Sequence, residues 1–282
     1  YSWFNLGGPA ELFFKPENKN QLIEFLKHVR EKKLKITILG AGSNTLIRDE
    51  GIKGVVIKLG SNFSKIELIN QDTIQVGAAT LDRKISNFAK EKGIGNLEFL
   101  SCIPGSIGGA VIMNSGCYGD DISKVLSSIT VIDINDCKEK QISRKEIDFF
   151  YRGTNLPSSL IITEVKLKGI VADKQLIEKK QVQMLEQKKL SQPSQIKTCG
   201  STFKNLNNKK KAWQLIKETG CDKFFEGDAV ISKKHCNFFV NNGNAKSSDI
   251  EKLINKVKKT VNDKTGINLE LEIKIIGEKK KI

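Results

Sequence analysis

The stretch Ile38–Gly51, ILGAGSNTLIRDEG, limits the possible folds more than any other part of the chain. It continues a short apolar run, residues 34–39, that reads as a strand. Gly40 and Gly42 are two apart and let successive backbone N–H groups face an anion. Ser43 and Asn44 add side-chain donors. A Rossmann turn needs a third glycine where this chain has Thr45, followed by a crossover helix whose N-terminus holds pyrophosphate. Here residues 46–57, LIRDEGIKGVVI, turn straight into a second strand, GVVIKL. The Rossmann reading fails on context, while the anion-holding chemistry survives. Taken alone, GAGSN suits a tight strand-to-strand turn equally well.

A second passage weighs against that plain reading. Residues 103–119, IPGSIGGAVIMNSGCYG, carry Gly105, Gly108, Gly109, Gly116 and Gly119. Such glycine density costs folding entropy, and is easier to understand where backbone lies against a flat or phosphorylated ligand. Two such loops suggest one large ligand, such as FAD, gripped from two sides.

Charge is less decisive. The net charge is +15, from 47 basic and 32 acidic residues. Nucleic-acid binding, a solvated lysine-rich surface and attraction of an acidic substrate all fit it. The surface reading is preferred, because the lysines are scattered along helices without interleaved aromatics; only Asn207–Trp213 and Lys279–Lys281 form blocks. No apolar run nears the roughly 18 residues of a membrane span, so no membrane association is expected. The N-terminal YSWFNLGGPAELFFKP lacks the basic start and apolar stretch of a signal peptide. The missing initial Met leaves room for residues upstream. Six cysteines without a CxxC pair point to free thiols and to no metal site.

Periodicity supplies the elements. Residues 20–33 place Leu22, Phe25, Leu26 and Val29 on one helical face. SKIELIN and DTIQVGA form a strand pair, and TLDRKISNFAKEKG a helix with Thr80 as N-cap and Gly93 as stop. SSITVIDIN and LIITEVKLKG read as strands, and residues 173–190 as a charged helix ending before a boundary at Pro193. In the last part, Ile250, Leu253, Ile254, Val257 and Val261 mark a helix, with Ser248 and Glu251 able to form its capping box. NLELEIKIIG closes the chain as an alternating strand.

Six segments occur in a telling order: LGAGSNTLIRDEGIKGVVI, IPGSIGGAVIMNSGCYG, FFYRGTN, GSTFKN, HCNFFVNNG and LELEIKIIG. Together they resemble the UDP-N-acetylenolpyruvoylglucosamine reductase family over nearly the whole chain. The resemblance implies an α+β protein. A two-subdomain FAD-binding domain, of the vanillyl-alcohol-oxidase-like and not the Rossmann type, would cover residues 1–57 and 58–192. A C-terminal α/β substrate-binding domain would cover 193–282, with the last strand and tail expected to pack back on the FAD-binding part. It implies a cytoplasmic, monomeric flavoenzyme of cell-wall precursor synthesis. NADPH would reduce the flavin, and the flavin would reduce UDP-N-acetylglucosamine enolpyruvate to UDP-N-acetylmuramate. The chain resembles the shorter members, which lack an extra loop bearing a substrate-contacting Tyr. Another FAD-dependent oxidoreductase on the same fold is the nearest rival reading, and a basic nucleic-acid-binding protein a distant one.

The same resemblance assigns residues. Arg152 in YRGTN, Ser201 in CGSTFKN and Glu272 in LELEI match the catalytic positions. A fixed fork of donors at Arg152 suits a carboxylate gaining charge. Ser201 would donate a proton to the enolate carbon, and Glu272 would work beside the substrate carboxylate with a raised pKa. Alternation alone cannot choose between Glu270 and Glu272. FAD contacts are expected from Gly40, Ala41, Gly42, Ser43, Asn44 and Thr45 in the first loop. In the second they are expected from Ile103, Pro104, Gly105, Ser106, Gly108, Gly109, Asn114 and Gly116. Asn205 and, less directly, Lys204 would contact the UDP-sugar. Leu206 stands where the pattern has Pro, and Thr154 where it has Ser.

Overall fold

The computed structural model describes residues 1–206 and 210–280; of the two basic blocks, Asn207, Asn208, Lys209 and Lys281 lie outside the described residues. Packing divides the chain into two units. The larger comprises Phe13–Ala41 and Gly54–Lys188, and the smaller Tyr1–Leu12, Gly42–Lys53 and Lys189–Ile282.

The larger unit is built on an antiparallel five-stranded sheet. Its order is Glu139–Ser143, Leu126–Asp133, Leu160–Lys168, Thr73–Gly77, Ile66–Leu68. Alternation along Leu126–Asp133 buries Ile129 and Val131 in a core shared with Ile85 and Ala89 of the Asp82–Lys92 helix and with Ile107 and Val111 of the Ile107–Ile112 helix. A second core forms where the apolar face of the Lys19–Glu31 helix meets a parallel strand pair. Leu22, Leu26 and Val29 pack on Val55 and Ile57, and Ile38 pairs with Ile57. The first glycine loop leaves this parallel pair. No helix follows it: the next elements are the strands Thr45–Ile47 and Ile52–Ile57.

The smaller unit packs the Ser247–Thr265 helix, through Ile250, Leu253, Ile254, Val257 and Val261, on a three-stranded antiparallel sheet of Phe225–Glu226, Ala229–Ile231 and Phe239–Asn241. Phe4 and Leu46 share that core. Thr45–Ile47 runs parallel to Lys274–Ile276, in register Leu46 with Ile275. This pairing explains why a segment so early in the sequence belongs with the C-terminal part.

Three local expectations are corrected. Thr80 does not cap the Asp82–Lys92 helix; Leu81 precedes the helix without a side-chain cap. The Thr80 carbonyl accepts the N–H of Ile107 at 2.9 Å, which draws the residue toward the second glycine passage, and its hydroxyl is buried without a partner. Gly93 does end that helix, in the left-handed conformation. Ser248 and Glu251 form no capping box. The N–H groups of Ser247 and Ser248 donate instead to the two carboxylate oxygens of Asp49, at 2.8 and 2.9 Å, and Glu251 pairs with Arg48. Finally, only Lys274–Ile276 of the closing segment is a strand. Its first half pairs with residues 202–204 and its second with Thr45–Ile47, so the chain bends at Glu272 and Ile273 to change partners.

The cap from Asp49 has a pH signature. Burial pushes its carboxyl up, but the N–H bonds from Ser248 and Ser247 outweigh this and hold it below the usual carboxylate range. A carboxyl depressed by folding adds stability that is complete above its unfolded value, about 3.9, and is lost as pH falls through the folded value. Asp49→Ala is therefore expected to cost about 1–2 kcal/mol at neutral pH in urea unfolding. The gap between the two proteins should shrink as pH falls below the unfolded value and close once it has passed the depressed folded value. An undiminished gap there would show that the charge contributes nothing.

Candidate functional site

In the larger unit the second glycine passage is laced to residues 78–82. Gly108 N–H donates to Ala78, Ile107 N–H to Thr80, and the N–H of Asp82 to Gly105. Leu81 and Ser106 form an isolated bridge. The first loop reaches the same place: a Cβ on Gly40 would lie 2.9 Å from the Ser106 hydroxyl. A Cβ on the exposed Gly109 would meet only that hydroxyl, at 3.9 Å. At Gly40 the Ser106 hydroxyl already leaves no room for a Cβ, whereas at Gly109 the protein itself does not crowd the glycine, as expected of backbone left clear for a ligand. Ile103, Pro104 and Gly105 enter the passage from the Glu98–Cys102 turn, with Pro104 exposed. Two glycine-rich backbones meeting at Ser106 fit a large phosphorylated cofactor such as FAD.

Around this junction lie further ionisable groups. Lys58 donates to the carbonyl of Gly40; burial, then the like charge of Lys15, lowers its pKa. Lys188 donates to the Cys102 carbonyl at 2.7 Å. The Cys117 thiol, hydrogen-bonded to Cys102, pulls the Cys102 pKa down to about 6 against the effect of burial, and Cys117 is pushed up in turn. All six cysteines are free. Asp82 is fully buried with neither oxygen hydrogen-bonded, and burial pushes its carboxyl well above the carboxylate range. That keeps it neutral, since a buried unpaired carboxylate would be costly. Among the described residues no group of three or more metal-ligating side chains forms.

Arg152 stands in the same unit at the tip of a hairpin in which Phe149–Phe150 pairs with Gly153–Thr154. Its φ of 60° is left-handed, a conformation costing a non-glycine residue on the order of 1–3 kcal/mol. Its guanidinium donates to Gly116 O at 3.3 Å and lies over the Tyr151 ring. Asn114 ties this hairpin to the passage: it donates to Phe150 O and accepts the N–H of Ser123. Thr154 keeps the hydroxyl of the usual Ser and donates to Ile112 O at 3.5 Å.

The smaller unit holds the rest of the first loop, and here Gly42 is explained by the chain itself. Its φ is 75°, and a Cβ would fall 2.0 Å from the carbonyl oxygen of Tyr1. The backbone N–H of Trp3 donates to its carbonyl at 3.1 Å. Asn44 brackets the Glu272 segment: its side chain donates to Glu272 O at 3.0 Å, and its carbonyl accepts the N–H of Lys274. Thr45 pairs with Lys274.

Ser201 and Glu272 lie on neighbouring segments of this unit. Glu272 N–H donates to Thr202 O at 2.9 Å, Phe203 bridges Leu271, and Lys204 N–H donates to Glu270 O. On its other side the Ser201 segment meets residues 237–238, with Ser201 bridging Phe238. The two glutamates that alternation left equal are separated by the bend. Glu270 is a solvent-facing residue in a salt bridge with Lys204 at 3.4 Å, and Glu272 is half-buried. Asn205 accepts the N–H of Ala212 at 3.2 Å, beside the start of the Ala212–Glu218 helix.

Comparison with known proteins agrees with these features. A family profile described as FAD binding domain matches residues 10–141, which places the chain among the flavoproteins. The profile of the UDP-N-acetylenolpyruvoylglucosamine reductase C-terminal domain matches residues 192–276. The reductase of that name from Pelagibacter ubique is 49% identical, over 98% of this chain and 91% of its own. The one from Wolbachia pipientis wMel is 41% identical, over 98% and 92%. The crystal structure of UDP-N-acetylenolpyruvylglucosamine reductase from Thermus caldophilus superposes with a TM-score of 0.85 at 33% identity, covering 98% of this chain and 95% of that one. The chain belongs to the UDP-N-acetylenolpyruvoylglucosamine reductase family. It is an FAD-dependent oxidoreductase that reduces the enolpyruvyl UDP-sugar in peptidoglycan precursor synthesis.

Proposed function

We propose that Ser201, Arg152 and Glu272 carry this reduction, with NADPH as the source of electrons. Residues Gly40–Thr45 and Ile103–Ser106, with Gly108, Gly109, Asn114 and Gly116, would hold FAD. Bound FAD supplies two-electron hydride chemistry between NADPH and the enolpyruvyl double bond. That reduction leaves negative charge on the carboxylate next to the reacting carbons. Arg152 receives the carboxylate with two parallel donors, which suit a planar anion better than a point charge does. Ser201 delivers the proton that completes the lactyl ether, since an enolate carbon is basic enough to take a hydroxyl proton. Glu272 orients the carboxylate end of the substrate by a hydrogen bond. Lys204 and Asn205 contact the UDP-sugar, and residues 193–282 act as the substrate-binding part, with 1–57 and 58–192 serving FAD.

The observation that best supports these roles is the backbone bond from Glu272 N–H to Thr202 O at 2.9 Å. It ties the glutamate to the segment that bears Ser201, so both can serve one reacting centre. We also read the enzyme as a cytoplasmic monomer that binds no nucleic acid. No helix among the described residues is long and apolar enough to cross a membrane.

Glu272→Gln keeps the shape and replaces the carboxyl with an amide, which disturbs the orienting hydrogen bond. It is expected to lower kcat by about 10- to 100-fold, the range of a hydrogen bond to a charged group, with flavin reduction by NADPH little changed. Anaerobic half-reaction kinetics test this. Wild-type reoxidation by Glu272→Gln would remove Glu272 from the mechanism. The rival reading, another flavin oxidoreductase, predicts no reoxidation of the reduced flavin by the enolpyruvyl UDP-sugar.

A further inference from the structure

Ser201 sits at the start of a short segment whose conformation is not set by a regular sheet, since its pairings are isolated bridges. One side chain does much of the fixing. Asn237 is 2% exposed, and its carboxamide makes two hydrogen bonds to a single residue two positions beyond Ser201. Phe203 N–H donates to Asn237 Oδ1 at 3.0 Å, and Asn237 Nδ2 donates to Phe203 O at 2.8 Å. The backbone continues the same ladder, with Thr202 N–H donating to Asn237 O at 2.8 Å. The next residue, Phe238, is the bridge partner of Ser201.

Asn237 is itself held in place. Its N–H donates to His235 Nδ1 at 3.2 Å, which requires that nitrogen to be unprotonated. Burial of His235, opposed by a hydrogen bond to its own backbone and reinforced by the charge of Lys211, sets its pKa below the ordinary value, so the ring is neutral. The ring packs edge-on to Phe238, with centroids 4.8 Å apart. Among common side chains, an amide of this length offers one acceptor and one donor at the spacing of a peptide group. Aspartate would lack the donor and bury a charge, and leucine would leave two backbone groups unpaired.

We propose that Asn237 is a positioning residue for the reaction, fixing the Ser201 hydroxyl by clamping the main chain at Phe203. The proposal rests on the reading of Ser201 as proton donor. Loss of the clamp frees the segment between the Phe238 bridge and the Glu272 segment, so the hydroxyl samples orientations from which the proton is not delivered.

The test uses the FAD-loaded enzyme and four proteins: wild type, Ser201→Ala, Asn237→Ala and the double variant. Stopped-flow absorbance follows flavin reduction by NADPH and reoxidation by UDP-N-acetylglucosamine enolpyruvate separately. Asn237→Ala is expected to slow reoxidation by about 10-fold or more while flavin reduction stays within about 2-fold. In the Ser201→Ala background the same change should add less than about 2-fold, because its effect runs through the lost hydroxyl. If the two effects multiply, or if Asn237→Ala slows both half-reactions alike, the positioning role is wrong even though Ser201 is catalytic. Normal turnover by Ser201→Ala would instead overturn the proton-donor reading, and the positioning role with it. Where Asn237→Ala does not fold, Asn237→Ser, which keeps a small polar group, carries the same comparison.

Discussion

Ser201→Ala enzyme loaded with FAD is expected to bleach when NADPH is added without oxygen, and then to stall when the enolpyruvyl UDP-sugar follows. Removing the hydroxyl takes away the only proton this reading assigns to the enolate carbon. The loss should fall within the range of general acid catalysis, about 100- to 10,000-fold in turnover. Ser201 is half-buried on a segment bonded on both sides, to residues 237–238 and to Glu272. A smaller side chain there removes no core packing and should leave the fold intact. The cleanest readout is flavin absorbance in two stages, because a folding defect or lost cofactor would spoil the first stage as well. Turnover within 2-fold of wild type, on the order of 0.4 kcal/mol in the barrier, would reject Ser201 as the donor.

Arg152→Lys gives the second large effect. Lysine keeps the positive charge but loses the planar fork, and the fork is what suits a carboxylate as charge develops on it. The expected loss is about 100- to 1,000-fold in kcat, the cost of removing one well-placed donor from a developing anion. The backbone offers a control. Arg152 has a φ of 60° at a hairpin tip, which disfavours lysine as much as arginine. Thermal stability should therefore change little while kcat collapses. A similar fractional loss in kcat and stability would mean that Arg152 only braces the hairpin through its bond to Gly116. Measuring kcat and KM separately sharpens the point: a rise in KM with kcat unchanged would assign Arg152 to ground-state binding instead.

How much of this was legible beforehand differs from element to element. The long helices were readable, because buried faces such as Leu22, Leu26 and Val29, or Ile250, Leu253 and Val257, repeat at helical spacing. The absence of a crossover helix after Gly42 was readable too, since the intervening residues are too few. Capping was less legible. Asp49 caps a helix that begins almost two hundred positions later, and no local pattern marks such a pairing. The bend at Glu272 was hidden for a similar reason. NLELEIKIIG alternates well enough for one strand, yet its halves pair with different segments of the chain.

The glycines divide along the same line. Composition identified both passages as unusual, but not which glycine serves which purpose. Gly42 is required by the carbonyl of Tyr1, a contact with the chain itself, whereas Gly40 and Gly109 face little but the Ser106 hydroxyl. Lys58 and Asn237 went unremarked because a lysine in a strand and an asparagine before two phenylalanines are ordinary in sequence. Their meaning lies in the carbonyl or peptide group each one meets.

The sequence by itself determined the class of chemistry, the family and the order of the elements. These rest on residue type, spacing and hydrophobic period, all of which are local. Only the tertiary structure decided that Thr45–Ile47 belongs beside Lys274–Ile276, that Glu270 is exposed while Glu272 is half-buried, and that Asn237 holds the main chain beside Ser201. Each is a pairing of hydrogen-bonding groups far apart along the chain, and burial, which leaves no water to satisfy them, selects such partners only once the fold has formed.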